Sequence, residues 1–268
     1  MPIFVTEDGA ALHYDLSGEG KPLITLAGGA GRHPSYLGDL AGLPGQLVIP
    51  HLRGVGETPG PSKSYWEQAS DLEDLRGHLV LQRLDLVAHS AGTRLAMAYA
   101  AQFPDNVASM LLITPPSAHL TDTPSDAAEI TAHRRGEPAF EKAMAAYHRR
   151  PKTQSDFEAW QADTAAATYA LWTEREQAHA RVGKTDLATV NAYFGVPAPP
   201  DFAQLLSKTD ATVRVIAGAQ DFTTGLAPVL AAAKLFTNGE VVVIDDCGHY
   251  PWVEQPGAFR RAADPFVA

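Results

Sequence analysis

The sequence contains a single cysteine, Cys247, among its 268 residues. One thiol cannot form an internal disulfide and cannot supply a cysteine-based metal site. Ten histidines are present, but they are scattered, and none falls in a His-Glu-x-x-His or similar spacing. We therefore expect neither a disulfide framework nor a metal centre.

Long apolar runs are also missing, because no stretch approaches the roughly 18 residues that a membrane-spanning helix needs. The start of the chain lacks the basic and apolar segments of a signal peptide. Basic residues are in the minority, with 21 Lys and Arg against 31 Asp and Glu, and the formal net charge is −10. Such a field repels nucleic acids and anionic membranes. The sequence predicts a cytoplasmic protein that binds neither of them.

Short apolar runs bounded by glycine or proline recur along the chain. The first two are joined through Asp8-Gly9, a turn pair that tolerates positive φ and predicts a hairpin. The later runs are continuously apolar, which is typical of strands buried on both faces of a parallel sheet. The expected strands cover 3–6, 12–16, 23–26, 47–49, 84–88, 110–113, 213–217 and 241–244.

Helical patterns separate these strands. Apolar residues recur at spacings of three and four in 65–81 and in 91–103, so each segment predicts an amphipathic helix. Alternating strands and helices predict an α/β fold with a mostly parallel sheet and helices on both faces.

The alternation is interrupted in the second half of the chain. Residues 121–200 are alanine-rich and helical in pattern, with aromatic residues that include Trp160 and Trp172. We interpret 1–120 and 201–268 as one core, and 121–200 as a helical lid inserted between two sheet strands. Extra core helices without a role in the site are the alternative.

One serine lies where a strand is expected to turn into a helix. The strand at 84–88 runs directly into Ala88-His-Ser-Ala-Gly. Small residues at such a turn permit a strained backbone that lifts the hydroxyl clear of the sheet, and the amides of the next helix favour negative charge. The motif alone arises by chance in roughly one chain in five. Its position at a strand end predicts that Ser90 is a nucleophile.

A serine hydroxyl needs a base to take its proton. His249 lies on a glycine-containing loop after the last expected strand, and Asp221 follows the strand before it. We predict that His249 is the base and that Asp221 orients it. Asp245 and Asp246 are alternatives for the acid, although they end the same strand that leads to the histidine.

A glycine-rich turn, Ala27-Gly-Gly-Ala-Gly, follows the strand at 23–26. A backbone amide of this turn could join that of Ala91 in an oxyanion hole. A phosphate-binding loop is the alternative, but the turn lacks a Gly-Lys-Ser/Thr ending and does not match Gly-x-Gly-x-x-Gly. We expect no cofactor.

With these motifs the sequence resembles the α/β-hydrolase superfamily, and most of all its proline iminopeptidase branch. The turn at 27–31 resembles that branch's His-Gly-Gly-Pro-Gly loop, and the segment at 51–58 resembles its Asp-x-Arg-Gly-x-Gly-x-Ser segment. Cys247-Gly-His-Tyr-Pro-Trp-Val-Glu-Gln-Pro is similar to its histidine loop almost throughout. The order serine, aspartate, histidine is that of the superfamily. The resemblance implies oxyanion donors at Ala91 and at Gly29, or its neighbour Gly28.

Four positions depart from that branch. Ala27 and Ala30 replace the histidine and proline of the glycine loop, and Ala88 replaces the first glycine of the serine motif. His51 replaces an aspartate in the second segment. Because a histidine and an aspartate are lost together, we expect the polar support under the oxyanion loop to be rebuilt.

We expect a serine hydrolase that forms an acyl-enzyme on a small ester, lactone or amide, with Trp160 and Trp172 of the lid facing the substrate. An aminopeptidase would also need acidic lid residues, and Glu174 and Glu176 are the nearest candidates. Two alternatives stay open. The triad could serve acyl transfer, cyclisation or lyase chemistry, or the protein could be a ligand-binding protein that keeps the fold and triad but turns over slowly.

Overall fold

The computed structural model describes residues 2–268. Within that range eight strands form one sheet in the order β1-β2-β4-β3-β5-β6-β7-β8. The β1–β2 and β2–β4 pairs are antiparallel, and the other neighbours are parallel. The strands are β1 (Ile3–Val5), β2 (Ala11–Ser17), β3 (Pro22–Leu26), β4 (Gln46–Pro50), β5 (Leu84–His89), β6 (Val107–Ile113), β7 (Thr212–Gly218) and β8 (Asn238–Ile244).

Helices cover both faces of this sheet, so the predicted α/β fold is confirmed. Several short 3₁₀ turns, including Pro34–Leu37, lie between them. The helices are α1 (Ala69–His78), α2 (Gly92–Gln102), α3 (Ala118–Thr121), α4 (Ala127–His133), α5 (Pro138–Tyr147), α6 (Gln154–Thr164), α7 (Glu174–Ala180), α8 (Leu187–Tyr193), α9 (Phe202–Leu206), α10 (Leu226–Ala232), α11 (Pro251–Glu254) and α12 (Pro256–Val267).

Neighbouring residues of each central strand face opposite layers, which explains their continuous apolar runs. In β5, Leu86 and Ala88 pack into the core on the side of α1, α2 and α10, whereas Val87 packs into the core on the side of α11 and α12. Each strand therefore contributes to two hydrophobic cores. These cores hold the carboxyl ends of β3, β5, β7 and β8, and the loops that follow these strands, in place.

Two expected elements differ from the structure. The segment predicted as a helix at 65–81 is helical only at Ala69–His78, and a turn in which Ser64 and Glu67 exchange side-chain-to-backbone hydrogen bonds precedes it. The strand at 241–244 is not buried on both faces. It belongs to β8, an edge strand paired with β7, so Val241 and Val243 remain exposed.

The predicted lid segment, 121–200, contains α4 to α8 and follows β6. Ile130, Phe140 and Ala143 of these helices form a small hydrophobic cluster with Phe222, which lies on the loop after β7. The inserted helices are thus packed against a loop at the carboxyl edge of the sheet.

Among residues 2–268, none of the helices combines the length and apolarity needed to cross a bilayer. The same part of the chain contains no group of three or more His, Cys, Asp or Glu side chains placed to hold a metal ion.

Candidate active site

Ser90 lies at the turn between β5 and α2 with a φ of +50°, a left-handed backbone that is strained for a serine. Its N–H donates to the carbonyl of Ile113 on the neighbouring strand at 2.9 Å. Gly92 makes this turn possible, since a Cβ there would lie 2.6 Å from the carbonyl oxygens of Leu26 and Ala27. The small residues of the motif therefore let the serine turn sit directly against the loop after β3.

The structure brings Ser90, His249 and Asp221 together in one line of contacts. Ser90 Oγ lies 2.8 Å from His249 Nε2, and His249 Nδ1 lies 2.7 Å from Asp221 Oδ2. Asp221 is buried, and its carboxylate also accepts from the backbone N–H of Thr223 at 3.0 Å and from the hydroxyl of Thr224 at 2.5 Å. Because a carboxylate only accepts, Nδ1 carries the imidazole proton and Nε2 presents a lone pair to the serine hydroxyl.

The two alternative acids lie elsewhere. Asp245 and Asp246 are exposed, and Asp246 accepts at 3.4 Å from Gln220. Neither carboxylate contacts His249. The acid that reaches the imidazole therefore comes from the strand before, across the top of the sheet.

A buried carboxylate that the sequence reasoning missed holds the histidine loop. Glu254, in α11, accepts from the backbone N–H groups of Gly248 and Tyr250, each at 2.9 Å, and from that of Ala170 at 2.7 Å. Burial raises the pKa of Glu254 above its usual value, while these three donors act in the opposite direction. Glu254 thus fixes the residues on both sides of His249 and connects them to the inserted segment.

The glycine turn after β3 lies against the serine turn. Gly28 donates its N–H to the hydroxyl of Tyr36 at 2.6 Å, so this amide is already engaged. Gly29 has a φ of +71°, and Ala91 is the N-cap of α2. Within residues 2–268, the N–H groups of Gly29 and Ala91 have no protein acceptor. Of the two glycines considered for the oxyanion hole, Gly29 is the one with a free donor.

His51 shows how the segment after β4 is supported. Its Nε2 lies 2.9 Å from Asp15 Oδ2, and its Nδ1 accepts from the N–H of Glu57 at 3.0 Å. Its ring also packs edge-on against His33, which follows the glycine turn, with ring centres 5.2 Å apart. A histidine paired with an aspartate of β2 therefore occupies the place where the related branch has an aspartate.

A cavity of about 500 Å³ lies between the inserted helices and the histidine loop. Trp160 and Trp172, the predicted lid residues, are both on its wall, together with Tyr147. Ser90 and the other two triad residues are not on that wall, but Thr223 and Tyr250, which adjoin Asp221 and His249, are. The cavity is thus next to the triad, on its acid and base side.

Glu174 and Glu176 do not form the acidic site considered for a substrate amine. Glu176 caps α7, accepting from the N–H of Thr173 at 2.9 Å and also from its hydroxyl, and it pairs with Arg175 at 2.8 Å. Glu174 is exposed, and neither carboxylate lines the cavity, whereas Glu158 does. The Thr-x-x-Glu spacing is a capping-box signal that was visible in the sequence.

A family model described as the alpha/beta hydrolase fold matches residues 21–256, which is most of the chain. The chain belongs to the α/β-hydrolase family. Its relatives include proline iminopeptidases at low identity.

Three curated relatives illustrate the range of similarity. The chain is 28% identical over 128 residues to the cis-3-alkyl-4-alkyloxetan-2-one decarboxylase of Shewanella oneidensis, covering 45% of this chain and 40% of that protein. It is 32% identical over 119 residues to the proline iminopeptidase of Lactobacillus helveticus, covering 39% and 40%. The chain therefore spans less than half the length of these two relatives. It is 25% identical over 270 residues to the 2-hydroxy-6-oxononadienedioate/2-hydroxy-6-oxononatrienedioate hydrolase 1 of Pseudomonas putida, covering 96% and 91%.

Solved structures match the chain over nearly its full length. The esterase RhEst1 from Rhodococcus sp. ECU1013 superposes with a TM-score of 0.76 at 20% identity, covering 99% of this chain and 98% of that one. An alpha/beta fold family hydrolase from Bacillus anthracis str. Sterne does so with a TM-score of 0.75 at 18% identity and the same coverage. At these identities the likeness is one of fold.

Proposed function

We propose that this α/β-hydrolase is a serine hydrolase that forms an acyl-enzyme on Ser90. The observation that carries the proposal is the unbroken line of contacts from Ser90 Oγ through His249 to Asp221, at 2.8 and 2.7 Å. These distances suit proton transfer from the hydroxyl and orientation of the imidazole by the buried carboxylate.

In the acylation step, Ser90 Oγ attacks the substrate carbonyl carbon while its proton passes to His249 Nε2. The carbonyl oxygen becomes negative and accepts from the N–H groups of Gly29 and Ala91, at the start of α2. Asp221 accepts from Nδ1–H and stabilises the imidazolium. The imidazolium then protonates the leaving alcohol or amine, and the carbon–heteroatom bond breaks.

Deacylation repeats these steps with water. His249 Nε2 takes a proton from the water as its oxygen attacks the acyl carbon, and the same two amides hold the oxyanion. The imidazolium returns the proton to Ser90 Oγ as the ester bond to the enzyme breaks. The acid product leaves, and the side chains are restored without a cofactor.

The proposed substrate class is supported by the cavity under the inserted helices, which we propose act as a lid. Trp160, Trp172 and Tyr147 give its wall aromatic surface, and Gln161 and Glu158 add polar groups. Such a wall suits an amphipathic small molecule. The proposed substrates are therefore small esters, lactones or amides with an aromatic or aliphatic portion.

The proposal is tested by a hydrolysis screen of p-nitrophenyl esters, lactones and aminoacyl anilides, with Ser90→Ala assayed beside the wild type. We expect at least one class to be hydrolysed, and Ser90→Ala to lower kcat by about 10³-fold or more, since serine and histidine act as a unit. Equal melting temperatures would show that the variant is folded. A Ser90→Ala enzyme that keeps a tenth of the wild-type rate would disprove the proposal.

A second candidate is non-hydrolytic chemistry at the same residues. One of the relatives is named as a decarboxylase of an oxetan-2-one, which is a four-membered lactone. The two candidates differ in the fate of water. If a β-lactone incubated in H₂¹⁸O gives a hydroxy acid that carries ¹⁸O, the reaction is hydrolysis. If it gives an alkene and carbon dioxide, the second candidate replaces the first.

A further inference from the structure

Two buried side chains outside the triad connect the oxyanion loop to the catalytic histidine. His89, the residue before Ser90, has its Nε2 3.0 Å from the carbonyl oxygen of His249 and its Nδ1 2.8 Å from the hydroxyl of Tyr36. The Tyr36 hydroxyl lies 2.6 Å from the N–H of Gly28. Both side chains are only 2% exposed.

The direction of every hydrogen bond in this series follows from valence. The carbonyl oxygen of His249 can only accept, so Nε2 of a neutral His89 carries the proton and Nδ1 carries a lone pair. Nδ1 therefore accepts the hydroxyl proton of Tyr36. The Tyr36 oxygen is then free to accept the N–H of Gly28. The Tyr36 hydroxyl thus donates to Nδ1 and accepts from Gly28. If the Tyr36–His89 bond were reversed, Nδ1 of the neutral ring would carry the proton, and Nε2 would face the His249 carbonyl without one.

The surroundings keep His89 in this neutral state. Burial, with His249 beside it, holds the pKa of His89 well below its usual value. Burial also raises the pKa of the Tyr36 hydroxyl above its usual value, so the phenol keeps its proton. His89 and Tyr36 are thus both held in their neutral forms.

The loop held by this series is tightly packed against the serine turn. A Cβ on Gly28 would lie 2.8 Å from the carbonyl oxygen of His89 and 2.8 Å from Ser90 Cβ. Gly28 is thus pressed against the serine turn, with its N–H directed to Tyr36. The next amide in the turn, Gly29, is the one left for the substrate oxygen.

We propose that Tyr36 and His89 are positioning residues that set the oxyanion geometry. Tyr36 binds the Gly28 amide and so orients the N–H of Gly29. His89 binds the His249 carbonyl and so fixes the position of this donor relative to the imidazole of His249. The inference rests on the acyl-enzyme mechanism proposed above. Placement matters because losing one oxyanion donor costs about 10²–10³ in kcat, and catalytic groups must be held to within about 0.5 Å.

The first test is Tyr36→Phe, which removes the hydroxyl and keeps the buried ring. We expect kcat to fall about 10–100-fold while KM changes less than about twofold. An aryl trifluoromethyl ketone reports on the same geometry, because Ser90 Oγ adds to its carbonyl carbon, His249 takes the proton, and the oxyanion needs the two amides. Its inhibition constant should rise by the same factor as kcat/KM falls.

Tyr99→Phe is the matched control. Tyr99 is also fully buried in a hydrophobic core, and its hydroxyl donates to Glu73 at 2.8 Å instead of to a residue of the site. We expect this variant to lower the melting temperature about as much as Tyr36→Phe, with kcat and ketone affinity unchanged. A purely structural role for Tyr36 would make the two variants alike.

A pair of substitutions at His89 distinguishes its hydrogen bond with Tyr36 from its hydrogen bond with the His249 carbonyl. In His89→Asn the side-chain oxygen can replace Nδ1 and accept from Tyr36. In His89→Gln the amide nitrogen can replace Nε2 and donate to the His249 carbonyl, which also accepts from Thr114 at 3.2 Å. We expect the asparagine variant to lose less ketone affinity than the glutamine variant. The reverse order would overturn the proposal.

The outcomes also separate this inference from the proposed function. If the wild type neither hydrolyses an acyl substrate nor binds the ketone, the acyl-enzyme mechanism fails. If the wild type does both, and Tyr36→Phe keeps the wild-type kcat and ketone affinity, the mechanism stands and the positioning role of Tyr36 is wrong.

Discussion

At the scale of single residues, the first prediction tests whether Asp221 is the acid that orients His249. Asp221→Asn would present an amide to His249 Nδ1, leaving the imidazole in the wrong tautomer. We expect kcat/KM to fall about 10²–10⁴-fold with little change in melting temperature. Asp246→Asn is the control, because this exposed carboxylate does not contact the histidine. The prediction is wrong if the Asp246 variant is the damaged one.

Glu254 supports a second prediction at the residue scale. In Glu254→Gln, an NH₂ group must face at least one of the three backbone N–H groups that the carboxylate now accepts from. We expect a loss of unfolding free energy of about 1–3 kcal/mol and a lower kcat, because the residues flanking His249 lose their anchor. Unfolding in urea and steady-state kinetics measure the two effects.

Glu174→Gln provides the comparison for that substitution, since this glutamate on α7 is exposed. It should match the wild type in both measurements. If Glu254→Gln also matched the wild type, the three hydrogen bonds would have no role in holding the loop.

At the scale of elements, α7 is attached to the turn at Pro34–Leu37 through His179. Its Nε2 lies 2.9 Å from the Tyr36 carbonyl, and its Nδ1 lies 2.7 Å from the Tyr169 hydroxyl. Burial lowers the pKa of His179 from 6.5 to about 4. Above pH 6.5 the folded and unfolded chains both carry a neutral His179, so its contribution to stability is complete. Between the two values only the unfolded chain binds the proton, and stability is lost as pH falls.

The resulting prediction compares His179→Gln with the wild type in unfolding experiments at several pH values. The wild type should lose about 2 kcal/mol more than the variant between pH 6.5 and pH 4. His148→Gln, at an exposed position, should follow the wild type. Parallel curves for wild type and His179→Gln would contradict the prediction.

The strands and helices also show which structural features the sequence patterns can predict. Buried central strands such as β5 are evident because both of their faces are apolar, whereas β8 has the same apolar run on an exposed edge. A run of valines predicts a strand. It does not predict whether the strand is buried, because that depends on the position of the strand in the sheet. The apolar spacing also extends beyond α1 at both ends, because such spacing indicates the buried face of a helix and not its first or last residue.

Some residues of the candidate site could be predicted from the sequence, and others could not. Ser90, Asp221 and His249 could be chosen because each follows a recognisable strand, and parallel strands bring their carboxyl ends together. The Tyr36 and His89 series had no such signal, because its members are separated by 53 positions and only the folded chain brings them together. Glu254 lay in the histidine-loop motif, but nothing in the pattern indicated which backbone groups it binds.

At the scale of the whole molecule, we propose that the inserted helices determine selectivity and that the residues at the edge of the sheet carry out the chemistry. Trp160 stacks on Phe157, with ring centres 5.9 Å apart, and lies on the cavity wall with Trp172. Trp160→Ala and Trp172→Ala should each raise KM about 3–30-fold and change the ranking of acyl substrates, because in the proposed function these side chains contact the part of the substrate away from the carbonyl.

The matched control for the lid is Trp66→Ala. Trp66 packs against Phe202 on the other side of the core and is not on the cavity wall. It should lower stability without changing KM or substrate ranking. If the two lid variants lose stability in the same way, with activity per folded molecule unchanged, the tryptophans are structural and the lid has no part in selectivity.

The most direct test of the acyl-enzyme mechanism is the mass of the protein after reaction with a fluorophosphonate. Serine attack on phosphorus expels fluoride, and the phosphonyl group remains bound to the enzyme, so the adduct reports an activated serine. We predict one adduct per chain, mapped by peptide sequencing to Ser90, absent in Ser90→Ala and formed far more slowly in Asp221→Asn. An unlabelled wild type, or an adduct that persists at another serine in Ser90→Ala, would contradict the mechanism.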